Sequence, residues 1–315
     1  MDKWHKKHVF ISGGAGVIGT PLVNSLIDKG AIIFIGDLKP QPHAWQGRVT
    51  YRQGDLITLS APEIADFSPE VFFHLAATFE RSEETYEFWE ENFHHNVHLS
   101  HHLLGVLKDL PSLKTVIFAS SYLIYDPSLY LFSKPQSSPT ALDETCAVAP
   151  RNLCGNAKWT HEQELQFIRK FKPHLQTICA RIFRSYGKNS RDIISRWIRM
   201  LLKGETISVY RPEGIFDYIY ADDVAEGLLQ LAATRYSGTV NLGSGHGRKV
   251  SDMLQILQQH FGPISTKIEE IDIPYEASQA NMQRFITQTH WNGFRQLEET
   301  IPLLIAFEKA KEQRR

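Results

Sequence analysis

Short apolar stretches alternate along the chain with longer segments whose apolar residues recur at helical spacing. Alternating strands and helices predict a parallel sheet with helices on both faces, that is, a doubly wound α/β fold. Strands are predicted at Val9–Ser12, Ile32–Ile35, Val49–Gln53, Val71–Leu75, Thr115–Ala119 and Thr177–Arg181. Helices are predicted at Thr20–Lys29, Glu87–Leu107, Ala157–Phe171, Ile193–Lys203 and Ala221–Ala233, and Ser251 is predicted to cap a helix over Met253–His260.

A glycine-rich loop follows the first predicted strand. Gly13, Gly16 and Gly19 are spaced three residues apart and stand directly before a predicted helix. Such glycines let the backbone approach a pyrophosphate, which the helix N-terminus stabilises. Asp37 ends the next strand, where a carboxylate can accept both hydroxyls of an adenosine ribose. This order predicts a Rossmann-type dinucleotide-binding domain. Asp37 favours NAD because its carboxylate would repel the 2′-phosphate of NADP. Only the nearby Lys39, a cation, favours NADP.

The strand–helix rhythm changes near residue 180, and the predicted domain organisation follows from that change. Residues 1–180 are predicted to form the NAD-binding domain, with a returning segment at about 213–247. Residues 181–212 and 248–315 are predicted to form a smaller C-terminal α/β substrate-binding region. The segment Pro127–Pro139 contains three prolines and four serines, which predicts a surface loop.

Composition excludes several classes of partner. Hydrophobic residues make up 42% of the chain, charged residues 22%, and the net charge is −1. This balance gives no attraction to nucleic acid or to an anionic membrane, so neither is an expected partner. No apolar run reaches membrane-spanning length, and we expect no signal peptide before the first strand. Cys146, Cys154 and Cys179 match neither a disulfide framework nor a zinc site, so a cytoplasmic location is expected.

Several motifs together resemble the extended short-chain dehydrogenase/reductase family, which includes NAD-dependent sugar epimerases and dehydratases. They are Gly13–Gly19, Gly54-Asp55-Leu56, His74–Ala77, Asn96-Val97, Phe118–Ser121 with Tyr125, Lys158, Arg181–Phe183 with Tyr186-Gly187, Tyr220–Val224 and Asn241–Gly245. The resemblance implies an NAD-dependent enzyme acting on a sugar, expected to be a nucleotide sugar, through a transient keto intermediate. It also implies a homodimer formed through the helices that contain Asn96 and Lys158.

The resemblance also implies roles for individual residues. The cofactor is expected to contact Gly13, Gly16, Val17, Ile18, Gly19, Asp37, Asp55, Leu56, Leu75, Ala76, Ala77, Asn96, Ser120, Lys158 and Ile182. Within this set, Asp55 and Leu56 are expected to meet adenine, and Lys158 is expected to hold the nicotinamide ribose. Ser121 takes the place of the catalytic serine or threonine. Thr78, Ser121, Arg184 and Arg211 are the expected substrate-binding residues.

The family's Tyr-x-x-x-Lys motif is altered in this chain, because Cys154 stands where the tyrosine is expected, four residues before Lys158. Three hypotheses remain open. In the first, Cys154 is itself the acid/base, and Lys158 lowers the pKa of its thiol. In the second, Tyr122, which follows Ser121, fills the volume that the missing tyrosine leaves. In the third, Cys154 is a small apolar filler, and the protein is a catalytically reduced NAD-binding sensor or scaffold. The residues Ser121-Tyr122-Leu123 also lack the Thr-Asp-Glu typical of 4,6-dehydratases.

The expected substrate side differs from the family pattern as well. Phe216 stands where an arginine is usual, whereas Arg184 and Arg211 are cations at new positions. Two interpretations remain open: these arginines meet an anionic substrate, or they are surface or salt-bridge residues. Glu80 and Arg81 follow the fourth strand near the expected substrate, where a solvated polar loop is the favoured interpretation.

One predicted helix contains five histidines: His94, His95, His98, His101 and His102. We expect them to face solvent or a partner subunit, and we expect no metal site.

Overall fold

A seven-stranded parallel sheet forms the centre of the protein, for which a computed structural model describes residues 2–81 and 83–313. The strands are β1 (His8–Ser12), β2 (Ile32–Asp37), β3 (Thr50–Gln53), β4 (Val71–His74), β5 (Thr115–Ser121), β6 (Leu131–Phe132), β7 (Thr140–Leu142), β8 (Gln176–Ile182), β9 (Arg184–Tyr186), β10 (Ile207–Tyr210), β11 (Ile215–Tyr220), β12 (Gly238–Leu242), β13 (Gly247–Lys249), β14 (Thr266–Glu269), β15 (Tyr275–Glu276) and β16 (Ser278–Ala280). The helices are α1 (Gly19–Asp28), α2 (Ala61–Phe67), α3 (Tyr86–Asn92), α4 (Leu99–Leu107), α5 (Leu153–Ile168), α6 (Ile193–Leu202), α7 (Ala221–Ala232), α8 (Val250–Phe261), α9 (Gln283–Thr289) and α10 (Leu297–Glu312). Single 3₁₀ turns lie at His43–Trp45, Leu56–Thr58, Tyr122–Ile124 and Pro127–Leu129, and a π-helical turn, Phe93–His98, joins α3 to α4.

The order of the central strands is β12-β8-β5-β4-β1-β2-β3. The chain runs outward from β1 through β2 to β3 and then returns to the other side of β1 as β4. In a doubly wound sheet, ligands bind at the carboxyl ends of the strands beside such a reversal. The predicted fold class is therefore confirmed, and the glycine loop follows β1 at the reversal.

Apolar side chains cover both faces of the sheet. Along β1, Val9 and Ile11 pack into one core cluster, whereas Phe10 packs into the cluster on the opposite face. This alternation explains why the strand reads as a continuous apolar run, because both faces of a parallel sheet are buried beneath helices.

A third apolar cluster lies in the C-terminal part, where Trp197, Met253 and Ile301 pack together from α6, α8 and α10. Strand β12, from the predicted returning segment, pairs with β8 in the central sheet. The boundaries of the two predicted domains stay a prediction. Among the described residues, we find no helix that is long and apolar enough to cross a membrane.

Three local predictions were wrong in detail. The helix expected over Ala157–Phe171 begins at Leu153, because the side chain of Asn152 accepts a hydrogen bond from Gly155 N at 2.9 Å and caps the helix there. Helix α8 begins at Val250, so Ser251 lies inside its first turn rather than before it; the Asp252 carboxylate accepts from the N–H of the N-cap residue, Lys249, at 3.0 Å. The segment Pro127–Pro139 includes strand β6, which pairs with β15 and so contacts a distant part of the chain.

Candidate active site

The glycine loop packs too closely to admit a side chain at Gly13 or Gly19. A Cβ atom at Gly19 would lie 2.3 Å from Gly13 O, and one at Gly13 would lie 2.6 Å from Ala76 N. Gly13 also has a φ of +76°, a conformation that favours glycine. Ile18 precedes α1 and forms no side-chain cap. In the first turn of α1, Thr20 N donates to Gly16 O at 3.0 Å and Pro21 has no N–H, so Gly19 N is the group left to meet an anion at the positive end of the helix. The loop therefore fits a pyrophosphate, as the spacing predicts.

Asp37 lies beside this loop at the end of β2. One carboxylate oxygen accepts from Ala15 N at 2.8 Å, and the other accepts from Lys39 N at 2.9 Å. The Lys39 ammonium donates in turn to Ala15 O at 3.1 Å. A carboxylate has about four acceptor positions, so Asp37 can hold the loop and still accept two ribose hydroxyls.

Asp55 follows β3 and lies near Asp37, since Gly54 N donates to Asp37 O at 2.9 Å. Its carboxylate accepts from Ile57 N at 3.0 Å and lies 2.6 Å from His94 Nε2. Burial would raise the pKa of Asp55, but the hydrogen bonds from His94 and Ile57 hold it below the ordinary value. Leu56 is buried beneath this turn.

The loop after β4 lies against Gly13 and is fixed by a buried amide. Leu75 N donates to Ser12 O at 3.0 Å, which continues the sheet one residue beyond β4. Asn96 accepts from Thr78 N at 2.7 Å and donates to Thr78 Oγ1 at 3.1 Å. The Asn96 side chain therefore positions Thr78, which we did not anticipate, and a direct contact of Asn96 with the cofactor stays a prediction.

The carboxyl ends of β5 and β8 hold the predicted catalytic serine. Ser121 pairs with Ile182 across the two strands, and its hydroxyl accepts from Leu123 N at 3.2 Å. Ser120 is buried, and its hydroxyl donates to Glu162 at 2.5 Å. Because its hydroxyl is used inside the fold, any contact of Ser120 with a cofactor has to involve its backbone.

Lys158 lies on α5 with its ammonium 4.8 Å from the centre of the Phe118 ring. Burial lowers the pKa of Lys158 to about 8. Cys154 is buried one turn earlier on the same helix, with its sulfur 3.8 Å from Thr78 O. Burial raises the pKa of the Cys154 thiol to about 12, although Lys158 acts in the opposite direction. The thiol is therefore protonated at neutral pH, which disfavours the hypothesis that Lys158 activates it as a base.

Tyr122 lies in a different charged environment from Lys158. Its ring stacks on Phe183 with centroids 5.0 Å apart, and among the described residues its buried hydroxyl has no hydrogen-bond partner. Burial raises the pKa of Tyr122 well above the ordinary value, and the charged groups that act on it are Arg184, Glu276, Glu80 and Arg151. These four groups, rather than Lys158, are the strongest charges that act on Tyr122, in contrast to the tyrosine–lysine pair of the family.

A buried ion cluster, here called the Glu276 cluster, consists of Glu276, Arg151 and Arg184. Glu276 is 4% exposed and accepts from Arg151 at 2.7 Å and from Arg184 at 3.2 Å. Burial would raise the pKa of Glu276, but the two guanidinium groups hold it below the usual 4.5. The Arg184 guanidinium also lies 4.5 Å from the centre of the Phe216 ring. Phe216 is the residue that stands where the family pattern has an arginine.

Glu80 lies between Cys154 and the Glu276 cluster. Its carboxylate accepts from Asn152 Nδ2 at 3.0 Å and lies 3.7 Å from Arg184 Nη1. Both Cys154 and Tyr122 experience its charge. Glu80 is therefore part of the site rather than of a freely solvated loop.

Arg211 is directed elsewhere. It donates to Ile273 O at 2.8 Å and to Tyr275 Oη at 3.0 Å, and its guanidinium stacks on the Tyr275 ring at 4.4 Å. These contacts use donors that the sequence analysis assigned to a substrate, so its substrate role stays a prediction. Sequence reasoning missed Glu276 and Arg151 entirely; Glu276 reaches the site only because β15 pairs with β6.

Comparison with known proteins agrees with this geometry. Residues 9–243 match the model of the NAD dependent epimerase/dehydratase family. UDP-glucose 4-epimerase from Halalkalibacterium halodurans is 26% identical over 82% of this chain and 82% of its own. UDP-glucuronic acid decarboxylase 1 from Xenopus tropicalis is 24% identical over 83% of this chain, which spans 62% of that protein's length. A structure of MoeE5 with UDP-glucose and NAD has a TM-score of 0.83 and 24% identity, covering 96% of this chain and 99% of its own.

The chain belongs to the NAD dependent epimerase/dehydratase family. The resemblance identified from the motifs is thereby confirmed, and the NAD dependence of the family agrees with the predicted cofactor.

Proposed function

We propose that this chain is an NAD-dependent enzyme that oxidises a hydroxyl-bearing carbon of a nucleotide sugar to a transient keto group. The observation that supports this most is the glycine loop, closed against Ala76 and held by Asp37, with Ser121 and Lys158 on neighbouring elements. Relatives and solved structures named for UDP-sugars support the substrate class. NAD, when bound, supplies the hydride acceptor for this chemistry.

Residues of the chain bind the cofactor and orient the substrate. The glycine loop and the N-terminal end of α1 bind the pyrophosphate, and Asp37 accepts the adenosine ribose hydroxyls. Lys158 holds the nicotinamide ribose from α5. Ser121 donates a hydrogen bond to the reacting sugar oxygen and orients it, as a hydroxyl at a strand end beside the cofactor can do.

For the proton transfer, we propose Glu80 as the acceptor in place of the missing tyrosine. Cys154 and Tyr122 both keep their protons at neutral pH, because burial raises both pKa values. Glu80 is a carboxylate within the same region, positioned by Asn152, and positioned carboxylates are common general bases. The Arg184 guanidinium next to Glu80 suits the diphosphate or another anionic group of the substrate.

The function is tested with purified protein, NAD and a panel of UDP-glucose, UDP-N-acetylglucosamine and UDP-glucuronic acid. Calorimetry measures binding, absorbance follows the reduced nicotinamide, and product analysis measures turnover. We expect NAD to bind and at least one UDP-sugar to turn over. NAD binding without binding of any UDP-sugar would remove the nucleotide-sugar assignment. Binding of both without turnover would favour the alternative function, a sensor or scaffold that binds NAD.

The role of Glu80 is tested with the sugar that turns over. Glu80→Gln keeps the hydrogen bond with Asn152 and removes the base, so kcat should fall by about 10²–10⁴-fold. Glu90→Gln, an exposed position on α3, is the matched control and should leave kcat unchanged. A fully active Glu80→Gln variant together with an inactive Cys154→Ala variant would instead identify the thiol as the proton carrier.

We also propose that two copies of the chain associate through α3, α4 and α5. Trp89 on α3, Phe93 in the π-helical turn, Phe167 on α5 and Phe171 just after α5 are all more than half exposed. A groove of about 600 Å³ lies between α4 and α5, lined by Leu104, Phe167 and Ile168 among others. Exposed aromatic patches of this kind mark protein interfaces, and a second copy is the simplest occupant. We also propose a cytoplasmic location, which the three free cysteines support.

A further inference from the structure

Three possible metal ligands meet at the outer end of the predicted cofactor site. They are Asp55, after β3, and His94 and His95, in the π-helical turn between α3 and α4. One ligand atom from each residue lies within 4.8 Å of the other two. Asp55 lies 39 residues before His94 in the chain, so helical spacing among the histidines gives no indication of this group.

The chemistry of this group is that of a transition-metal site. Two imidazoles and one carboxylate are typical ligands of Zn²⁺, with bonds of about 2.0–2.2 Å, and a tetrahedral set then places its donors about 3.3 Å apart. Asp55 Oδ2 and His94 Nε2 lie 2.6 Å apart, and all three donor atoms lie within 4.8 Å of one another. The three donors are therefore already close to the spacing that one ion requires.

Binding would disturb little of the protein. His95 makes no side-chain hydrogen bond to the residues that the structure describes, so only the contact between His94 and Asp55 is exchanged for coordination. All three residues are partly exposed, which leaves the ion accessible and a fourth position open to water. The π-helical turn that presents the two adjacent histidines is itself unusual, and such turns occur often at functional sites.

The position of the site matters because Asp55 lies beside Asp37. Gly54, which precedes Asp55, donates its N–H to Asp37 O. A ligand on Asp55 and a nucleoside held by Asp37 therefore occupy the same end of the cofactor site.

We propose that Asp55, His94 and His95 bind one zinc-like divalent ion in the NAD-free protein, and that this ion competes with the adenosine end of NAD. The metal site stands on its own geometry, whereas the competition rests on the proposed function.

The test uses full-length, NAD-free protein. ZnCl₂, CoCl₂ and MgCl₂ are titrated separately by calorimetry in a non-chelating buffer, and the visible absorption of bound Co²⁺ reports its coordination. We expect one equivalent of Zn²⁺ or Co²⁺ and no binding of Mg²⁺, which prefers oxygen ligands. His95→Ala and Asp55→Asn should each weaken Zn²⁺ binding by at least about tenfold. His101→Ala, on the same helix but hydrogen-bonded to Glu164, is the matched control and should bind as the native chain does.

Competition is measured by repeating the NAD titration with Zn²⁺ at ten times its own Kd. At the same Zn²⁺ concentration, the apparent Kd for NAD should rise about tenfold in the native chain and at most about twofold in His95→Ala. Thermal midpoints of the metal-free variants verify that each is folded. Absence of Zn²⁺ binding, unchanged binding in both ligand variants, or loss of binding only in His101→Ala would overturn the metal site. Zn²⁺ binding with an unchanged Kd for NAD would overturn the competition alone, and a failure of NAD to bind at all would contradict the proposed function but not the metal site.

Discussion

Replacement of Glu276 by glutamine tests whether the Glu276 cluster holds the substrate side of the site together. The substitution keeps the size of the side chain but leaves Arg151 and Arg184 facing a neutral group and each other. Breaking a buried ion pair costs about 3–5 kcal/mol. Both arginine side chains are about one-third exposed, at 28% and 33%, so water compensates part of the loss. We therefore expect the free energy of unfolding to fall by about 3 kcal/mol, the lower end of that range.

The same interaction should depend on pH. Arg184 and Arg151 hold the pKa of Glu276 below its usual 4.5, so the folded state releases this proton more readily than the unfolded state. The stabilisation is therefore fully present above pH 4.5 and is lost as the pH falls through the lowered pKa of the folded state. The difference in unfolding free energy between the native chain and Glu276→Gln should be constant from pH 8 to about 5 and should shrink at lower pH.

Urea unfolding followed by fluorescence measures this difference. With a urea m value of about 3 kcal/mol/M, a loss of 3 kcal/mol lowers the midpoint by about 1 M. Glu298→Gln is the matched control, since Glu298 also contacts an arginine, Arg248 at 2.6 Å, but its side chain is 49% exposed. Exposed pairs contribute about 0–1 kcal/mol. Equal destabilisation by the two substitutions, or a Glu276→Gln midpoint within error of the native one, would refute the reasoning.

Three further predictions concern the cofactor site, the core and the proposed dimer. Gly19→Ala should weaken NAD binding at least about tenfold in calorimetry, because its Cβ would lie 2.3 Å from Gly13 O and displace the loop; unchanged affinity would exclude that loop as the pyrophosphate site. Glu162→Gln should lower the unfolding free energy by about 3–5 kcal/mol in urea titrations, since Glu162 and Arg181 are both buried and 2.8 Å apart; a loss below about 1 kcal/mol would contradict this. Phe167→Glu should convert a dimer into a monomer in analytical ultracentrifugation, and a native chain that sediments as a monomer would contradict the proposed interface.

The sheet and the glycine loop were predictable because their signals are local. Each apolar run of four or five residues indicates a strand with both faces buried. The spacing of Gly13, Gly16 and Gly19 indicates a loop whose backbone packs closely against itself and can approach a ligand. Asp37 was predictable for the same reason, since its distance from the loop along the chain is set by one helix and one strand.

The substrate side was not predictable because it depends on contacts between distant segments. Glu276 reaches Arg151 and Arg184 across 125 and 92 residues, through the short pairing of β15 with β6. Two-residue strands have no periodic signal of their own. Likewise, Glu80 resembles any polar loop residue until Asn152, 72 residues later, is seen to fix its carboxylate.

The bond from Ala15 to Asp37 has a consequence for the rate at which a dinucleotide is captured. Because the carboxylate already ties down the turn between β1 and α1, little conformational entropy remains to be lost when a diphosphate arrives. Association should then approach the speed of a rigid receptor, and differences in affinity among dinucleotide analogues should appear mainly in their dissociation rates.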